Sequence, residues 1–249
     1  MASRSKGGFK ETIKTVIYAV AIAMVFRTFA FEPFNIPSRS MVPTLLVGDF
    51  LFVSKFSYGY SRHSLPFSPD LFGGRVLQSA PERGDVAVFK TPLDNETDFI
   101  KRVIGMPGDR IQMRESVLYI NDQPVKRERV EDFEYIDGTG RLRFIPQYRE
   151  TLPNGRSYLT LDESARRPLD NTAVYTVPKG HYFMMGDNRD NSTDSRVSVR
   201  NSGVGFVPAE NLVGRADVLF FSIDTDFRWW QIWNLVTNIR YSRLGDVIE

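Results

Sequence analysis

A mostly β domain standing behind one apolar N-terminal helix is the architecture that this sequence predicts. Three observations carry the expectation. Beyond residue 43 the apolar residues come in short, roughly alternating runs, as half-buried strands require. Each run is closed by Gly, Pro, Asp or Asn, the residues that favour turns. The most apolar segment is near the N-terminus, where "TVIYAVAIAMVF" at 15–26 carries no charge.

That segment is taken first. Twelve residues cannot cross a bilayer, but the run from Thr15 to Phe31 reaches the lower limit for a spanning helix if Arg27 extends its guanidinium to the interface. Arg4, Lys6, Lys10 and Lys14 precede it against one acid, Glu11, so the positive-inside rule puts the N-terminus in the cytoplasm and the rest outside. The expected division is a cytoplasmic tail at 1–14 and an anchor at 15–33. A cleaved signal peptide and a buried soluble helix are the rival readings.

The strands follow. "DFLFVSKF" (49–56), "GDVAVFK" (84–90), "FIKRVIG" (99–105), "DRIQMRESVLYIND" (109–122), "GHYFMMGD" (180–187) and "GRADVLFFSI" (214–223) are rich in β-branched and aromatic residues. "LYINDQPV" reads as a hairpin turning at Asn121-Asp122. The stretch 123–178 is more polar, with "DGTG" and "LPNG" turns, and reads as an insertion with its own small sheet. The domains expected are a main β domain from 34–110 and 180–249, and an inserted β domain at 111–179. Near the end, Trp229, Trp230, Ile232, Trp233, Leu235 and Val236 crowd into two turns beside Arg240 and Arg243, which suits a membrane surface or a docked terminal helix.

Composition excludes several chemistries. The chain has 249 residues and a net charge of +2, with no long basic run interleaved with aromatics, so nucleic acid is not the expected partner. It has no cysteine, which removes disulfides, thiolate nucleophiles and cysteine metal sites. Its two histidines, His63 and His181, stand in no metal-ligand spacing, and no metal or cofactor is expected.

The residues that can do chemistry lie in three separated motifs, "PSRSMVPT" (37–44), "DFIKRVIGMPGDR" (98–110) and "GDNRDNSTDSR" (186–196). Lys101 sits in an otherwise apolar strand, and because strand side chains alternate, Lys101 and Arg102 point to opposite faces, so one of them enters the core. A strand lysine ordinarily solubilises an edge. A desolvated one loses its proton more easily and can act as a base toward a serine hydroxyl without any histidine.

These motifs, in this order, resemble those of bacterial type I signal peptidase, the Ser-Lys endopeptidase family that removes signal peptides from exported preproteins. The blocks S-x-S-M-x-P-T-L-x-x-G-D, F-I-K-R-x-x-G-x-P-G-D and G-D-N-R-D-N-S-x-D-S-R all stand here. The resemblance implies a mostly β, signal-peptidase-like (LexA-type) β-barrel catalytic domain with an inserted small β domain and one preceding transmembrane helix. It makes Ser40 the nucleophile and Lys101 the general base, with Ser38 donating to the oxyanion beside the Ser40 amide. Ser192 would orient the Lys101 amine. Gly186 would permit close backbone approach, Asp187, Asn188 and Asn191 would shape the loop, and Asp194 with Arg196 would brace the site. Phe34, Ile36, Met41, Leu45, Phe99 and Ile100 would wall shallow pockets for the small residues of an Ala-x-Ala site. Preproteins and membrane lipids are the implied partners. The implied setting is a single-pass monomer in the bacterial inner membrane, its catalytic domain periplasmic.

The chain departs from the family pattern in two ways. Many relatives carry two spanning helices, and this sequence offers one candidate; the disulfide of the larger enzymes' inserted domain cannot form here. Two other functions compete: a Ser-Lys autoprotease of the SOS-repressor type, and a catalytically inactive β domain that binds exported segments.

Overall fold

The structure, a computed structural model, describes residues 7–65, 68–136, 141–164, 166–224 and 235–249. Trp229, Trp230, Ile232 and Trp233 lie outside the described residues, as does the "DGTG" turn.

A helix α1 (Gly7–Phe29) opens the chain, and both its limits are earlier than the expected 15–33. Its start takes in Lys10, Glu11 and Lys14, charged residues but good helix formers. Its end is set by Pro33, which disfavours helical backbone at Glu32 and leaves Phe31–Asn35 extended as β1. Arg27, near the helix end, donates from Nε to Glu32 Oε1 at 2.8 Å, and Lys55 Nζ closes on the other oxygen of Glu32 at 2.8 Å. The helix is thus tied to the first strands by charge. Its side chains are otherwise almost wholly exposed, Ile22 at 70% and Val16 at 56%.

The strands then follow in chain order: β2 (Asp49–Ser54), β3 (Val86–Lys90) and β4 (Asp98–Gly105). Next come β5 (Arg110–Arg114), β6 (Val117–Ile120), β7 (Gln123–Pro124), β8 (Lys126–Arg129), β9 (Phe133–Ile136), β10 (Leu142–Ile145), β11 (Gln147–Thr151), β12 (Ser157–Leu161) and β13 (Tyr175–Thr176). The chain returns through β14 (His181–Met185), β15 (Val207–Pro208) and β16 (Leu212–Ser222). The main sheet runs β1-β2-β16-β3-β4-β14-β15, antiparallel throughout. Strands β5 to β13 form three smaller sheets: β13-β5-β6-β7, β12-β11-β8 and β10-β9. The β6–β7 connection is the expected hairpin, with Asn121 at φ 53° and Asp122 at φ 64°, the left-handed pair that a tight two-residue turn needs.

The main sheet is strongly curled. Its register shifts along β16 and β14 are bulges that bend a strand. Ile36, Met41 and Leu45, just past the edge strand β1, share one core with Val86 and Val88 of β3 and Val213 of β16. A second core joins Ile104, Phe183 and Met185 of the sheet to Ile111, Leu118, Leu152 and Tyr158. The polar stretch after β4 is therefore packed on the sheet.

Candidate active site

Ser38 and Ser40 stand on the segment between β1 and β2, the loop that would be catalytic. Met41 and Leu45 are fully buried and pin it to the core, while Ile36 N donates to Asp49 O at 2.8 Å and Gly48 N to Ile36 O at 3.0 Å. Asp49, buried, accepts Leu46 N at 2.7 Å and the Arg243 guanidinium at 2.6 Å. Gly48 makes the turn at φ +89°, where a Cβ would collide with Ile223 O. The loop is held on its other side as well. Asn188 N donates to Ser40 O, and Asn188 Nδ2 to Arg39 O, both at 3.1 Å.

Ser40 is 8% exposed and Lys101, from β4, is 4% exposed. Lys101 Nζ donates to Ser40 Oγ at 2.7 Å and to Ile100 O at 2.9 Å, with the Phe99 ring 5.2 Å away. Burial pushes the Lys101 amine down from the ordinary 10.5 to about 8, against the opposing pull of the Asp194 and Asp187 carboxylates. Ser38 Oγ lies 3.4 Å from Ser40 Oγ on the solvent side of the loop. Neither His63 nor His181 bonds to this pair; their ring nitrogens face Ser68 Oγ and Lys179 O. A histidine-dependent triad is not assembled here.

Both Lys101 and Arg102 are buried, which corrects the expectation that only one would enter the core. Alternation is obeyed, but both faces of β4 are interior, because the polar stretch after β4 covers the second. On that face Arg102 forks onto Asp187, Nε to Oδ1 at 2.9 Å and Nη2 to Oδ2 at 2.8 Å, and lies 4.1 Å over the Tyr158 ring. Thr44 Oγ1 donates to the same carboxylate at 2.6 Å. This pair joins the catalytic loop, β4 and the third motif at one point.

Gly186 has a steric reason to be glycine. A Cβ there would lie 2.2 Å from Ser192 Oγ and 2.5 Å from Ser40 O. Its amide donates to Asp194 Oδ2 at 3.1 Å, and Arg196 forks onto Asp194 at 2.9 and 2.8 Å, both side chains fully buried. Burial alone would raise the Asp194 carboxyl; the Arg196 charge and its hydrogen bonds hold it below the usual range. Ser192 is buried against Gly186 but does not bond to Lys101, and no partner of good geometry reaches its hydroxyl, although it lies near Asp194. Asn191 is exposed and donates to Glu163 Oε1 at 2.7 Å, away from the Ser40–Lys101 contact.

Of the expected substrate pockets, Ile36, Met41 and Leu45 are core and can serve only as a floor, with Phe34 and Ile100 half-buried at its rim. Phe99 packs in a different cluster, beside Phe89 and Lys101.

The sequence reading missed Thr44, Arg102, Glu150, Tyr158 and Arg189 as site residues. Arg189 is buried and forks onto Glu150 at 2.9 and 2.6 Å, Tyr158 O–H donates to Glu150 Oε2 at 2.9 Å, and Arg196 Nη2 donates to Arg189 O at 2.6 Å. Arg102 and Arg189 stand inside the motifs, which was a signal; Glu150 and Tyr158, in the polar stretch, carried none. Among the described residues one set of carboxylates converges as a metal site would, Asp162, Asp170 and Asp190 within 4.8 Å of one another. Asp162 is already paired with Arg127, and Asp190 accepts the Glu163 and Ser164 amides. None of the three touches Ser40 or Lys101.

Comparison with known proteins gives the family. The profile of the family described as signal peptidase, peptidase S26, matches residues 9–221. Signal peptidase I of Rickettsia typhi is 42% identical over 243 residues, covering 93% of this chain and 88% of that protein. Signal peptidase I of Rickettsia akari is 41% identical over 235 residues, covering 90% and 84%. A crystal structure of a signal peptidase I from Enterococcus faecalis aligns over 55% of this chain and 97% of that one, at 26% identity and a TM-score of 0.31. A buried serine and lysine in contact, on a curled sheet whose sequence matches this profile over most of its length, place the chain in the signal peptidase family of serine peptidases, peptidase S26.

Proposed function

We propose that the chain is a membrane-anchored endopeptidase that cuts signal peptides from preproteins at Ala-x-Ala sites, with Ser40 as nucleophile and Lys101 as general base. The 2.7 Å contact between Ser40 Oγ and a lysine amine brought down to about 8 carries this reading. In the neutral lysine the same contact reverses, the serine O–H donating to Nζ. Ser40 Oγ then attacks the scissile carbonyl as its proton passes to Lys101. The oxyanion is met by Ser38 O–H and by the Ser40 amide, which donates to no described residue. The ammonium of Lys101 returns its proton to the departing amine, leaving the signal peptide esterified to Ser40. Lys101 next takes a proton from water, the hydroxide opens the ester, and Ser40 regains its hydrogen. Ser192 is not bonded to Lys101 at rest; buried beside Gly186 and near Asp194, its hydroxyl would have to turn to reach the amine during these transfers.

The substrate lies as an extended strand between two open edges. β1 is paired only with β2, and β14 pairs with β4 from Arg102 onward, so residues 98–101 keep one free edge. Phe34, Ile36 and Ile100 flank that path, and the shallow apolar wall admits alanine and rejects larger side chains by overlap.

α1 spans the bilayer: the candidate span Gly8–Phe29 is 22 residues, about 33 Å at 1.5 Å per residue, with Lys10, Glu11 and Lys14 in its first turns and Arg27 near its end. Lys10 and Lys14 keep the N-terminus cytoplasmic, and the β domain stands on the periplasmic side of the inner membrane. Ring contacts run from Phe26 through Phe31 and Phe52 to Phe220, an aromatic surface continuous with the helix end that suits lipid. The working unit in this reading is a monomer, built as a catalytic domain (34–110 and 180–249) and an inserted domain (111–179).

The test is cleavage of a preprotein in detergent or lipid by the native chain, Ser40→Ala and Lys101→Ala. Cutting after Ala-x-Ala by the native chain alone is the expected result. Cleavage only of its own chain would point to an autoprotease of the SOS-repressor kind, and binding without cleavage to a dead domain; near-native activity of Lys101→Ala would overturn the dyad.

A further inference from the structure

We infer that a groove beside the catalytic loop receives the first residues of the mature chain, those C-terminal to the scissile bond, and prefers an apolar side chain there. This deepens the signal peptidase reading above and rests on it. The groove has a volume of about 590 Å³, within the range that bound ligands occupy. One wall is the catalytic loop itself, at Arg39; the opposite wall is the β9–β10 hairpin, at Tyr135 and Ile145; and Asn188 of the third motif closes one side. Its floor is an apolar cluster in which Val42 and Ile145 are buried and Leu46 is half-buried.

Position decides the occupant. The signal-peptide half of the substrate approaches Ser40 along β1 and residues 98–100, and none of Phe34, Ile36, Phe99 or Ile100 lines the groove. The groove instead starts at the residues that adjoin Ser40, with Arg39 on one side and Val42 two positions on. An extended chain advances about 3.4 Å per residue and the groove begins at residues adjoining Ser40, so the first few residues of the mature protein are the ones within its reach, and the second to fourth are those varied below. The Arg39 guanidinium sits 4.8 Å over the Tyr135 ring, so this contact joins the two walls at one point, and a peptide enters beside it or displaces the exposed Arg39 side chain. A substrate side chain that buries itself there gains contacts, while the rim charges leave the peptide backbone solvated.

The experiment uses the full chain in detergent micelles and quenched-fluorescence peptides that are identical through Ala-x-Ala. The mature half carries leucine, serine or aspartate at its second to fourth positions. Leucine peptides should show a kcat/KM about tenfold above serine peptides, the scale of discrimination an apolar pocket gives. In the Tyr135→Ser chain, altered on the hairpin wall and not on the Ser40 loop, that ratio should fall toward one, while the serine peptide is still cut at the native rate, which also reports an intact fold. Equal rates for all mature halves, with cleavage still at Ala-x-Ala, would overturn the inference and leave the signal peptidase reading standing. Failure to cut any peptide would remove both. A change of oligomeric state in the groove variant at unchanged specificity would assign the groove to a second copy of the chain and likewise overturn it.

Discussion

Titrating Lys101 through pH is the most searching perturbation, because it follows the proton that the proposed mechanism needs without changing any side chain. Buried beside Ser40, its amine lies at about 8, against 10.5 for an ordinary lysine. At pH 7 about one molecule in ten then holds the neutral base, against about three in ten thousand for a solvated lysine, so burial supplies roughly a 300-fold larger active fraction. The logarithm of kcat/KM should rise with unit slope from pH 6, bend near 8 and stay level above it, because kcat/KM reports the free enzyme. The assay is initial-rate cleavage of an Ala-x-Ala peptide well below saturation, by the full chain in micelles between pH 5.5 and 10.5. A rate still climbing beyond pH 10 would show a solvated lysine and refute the burial argument. A bend near 6.5 would assign the base to a histidine.

The same burial has a stability signature. Between about 8 and 10.5 the unfolded chain holds the Lys101 proton and the folded chain does not, so stability rises with pH across that window by about 3 kcal/mol, 2.5 units at 1.36 kcal/mol each. Lys101→Met lacks that rise, and urea unfolding of the two chains at pH 7 and 10.5 should show the difference converge. Gly186→Ala puts a methyl 2.2 Å from Ser192 Oγ and 2.5 Å from Ser40 O, and should lower kcat/KM by about 100-fold and cost about 1–3 kcal/mol of stability by urea unfolding. Glu150→Ala leaves Arg189 buried without its carboxylate and should cost about 3–5 kcal/mol by urea unfolding. Ser38→Ala should reduce kcat by roughly 100-fold and leave the bend of the pH profile in place.

How far the sequence could be read depended on the range of the interaction. The strand at 84–90 and the return strand at 180–187 were legible because alternation and turn residues act over a few positions, and the Asn121-Asp122 hairpin for the same reason. The helix limits were not, since charged residues such as Lys10 and Lys14 leave an apolar count without breaking a helix. Arg102 was misjudged because alternation says which face a side chain takes and nothing of what covers that face. Glu150 and Tyr158 were invisible, each meeting Arg189 across more than thirty residues of chain.

The sequence by itself determined the chemical inventory of this protein: hydroxyls at 38, 40 and 192, one lysine in an apolar strand, no thiol, and an apolar helix in front. The tertiary structure alone decided that Ser40 and Lys101, 61 residues apart, meet at 2.7 Å, and that the amine loses its water there. A pKa and a hydrogen bond depend on the dielectric and the neighbours that a curled sheet brings together, and neither is a property of any local stretch of chain.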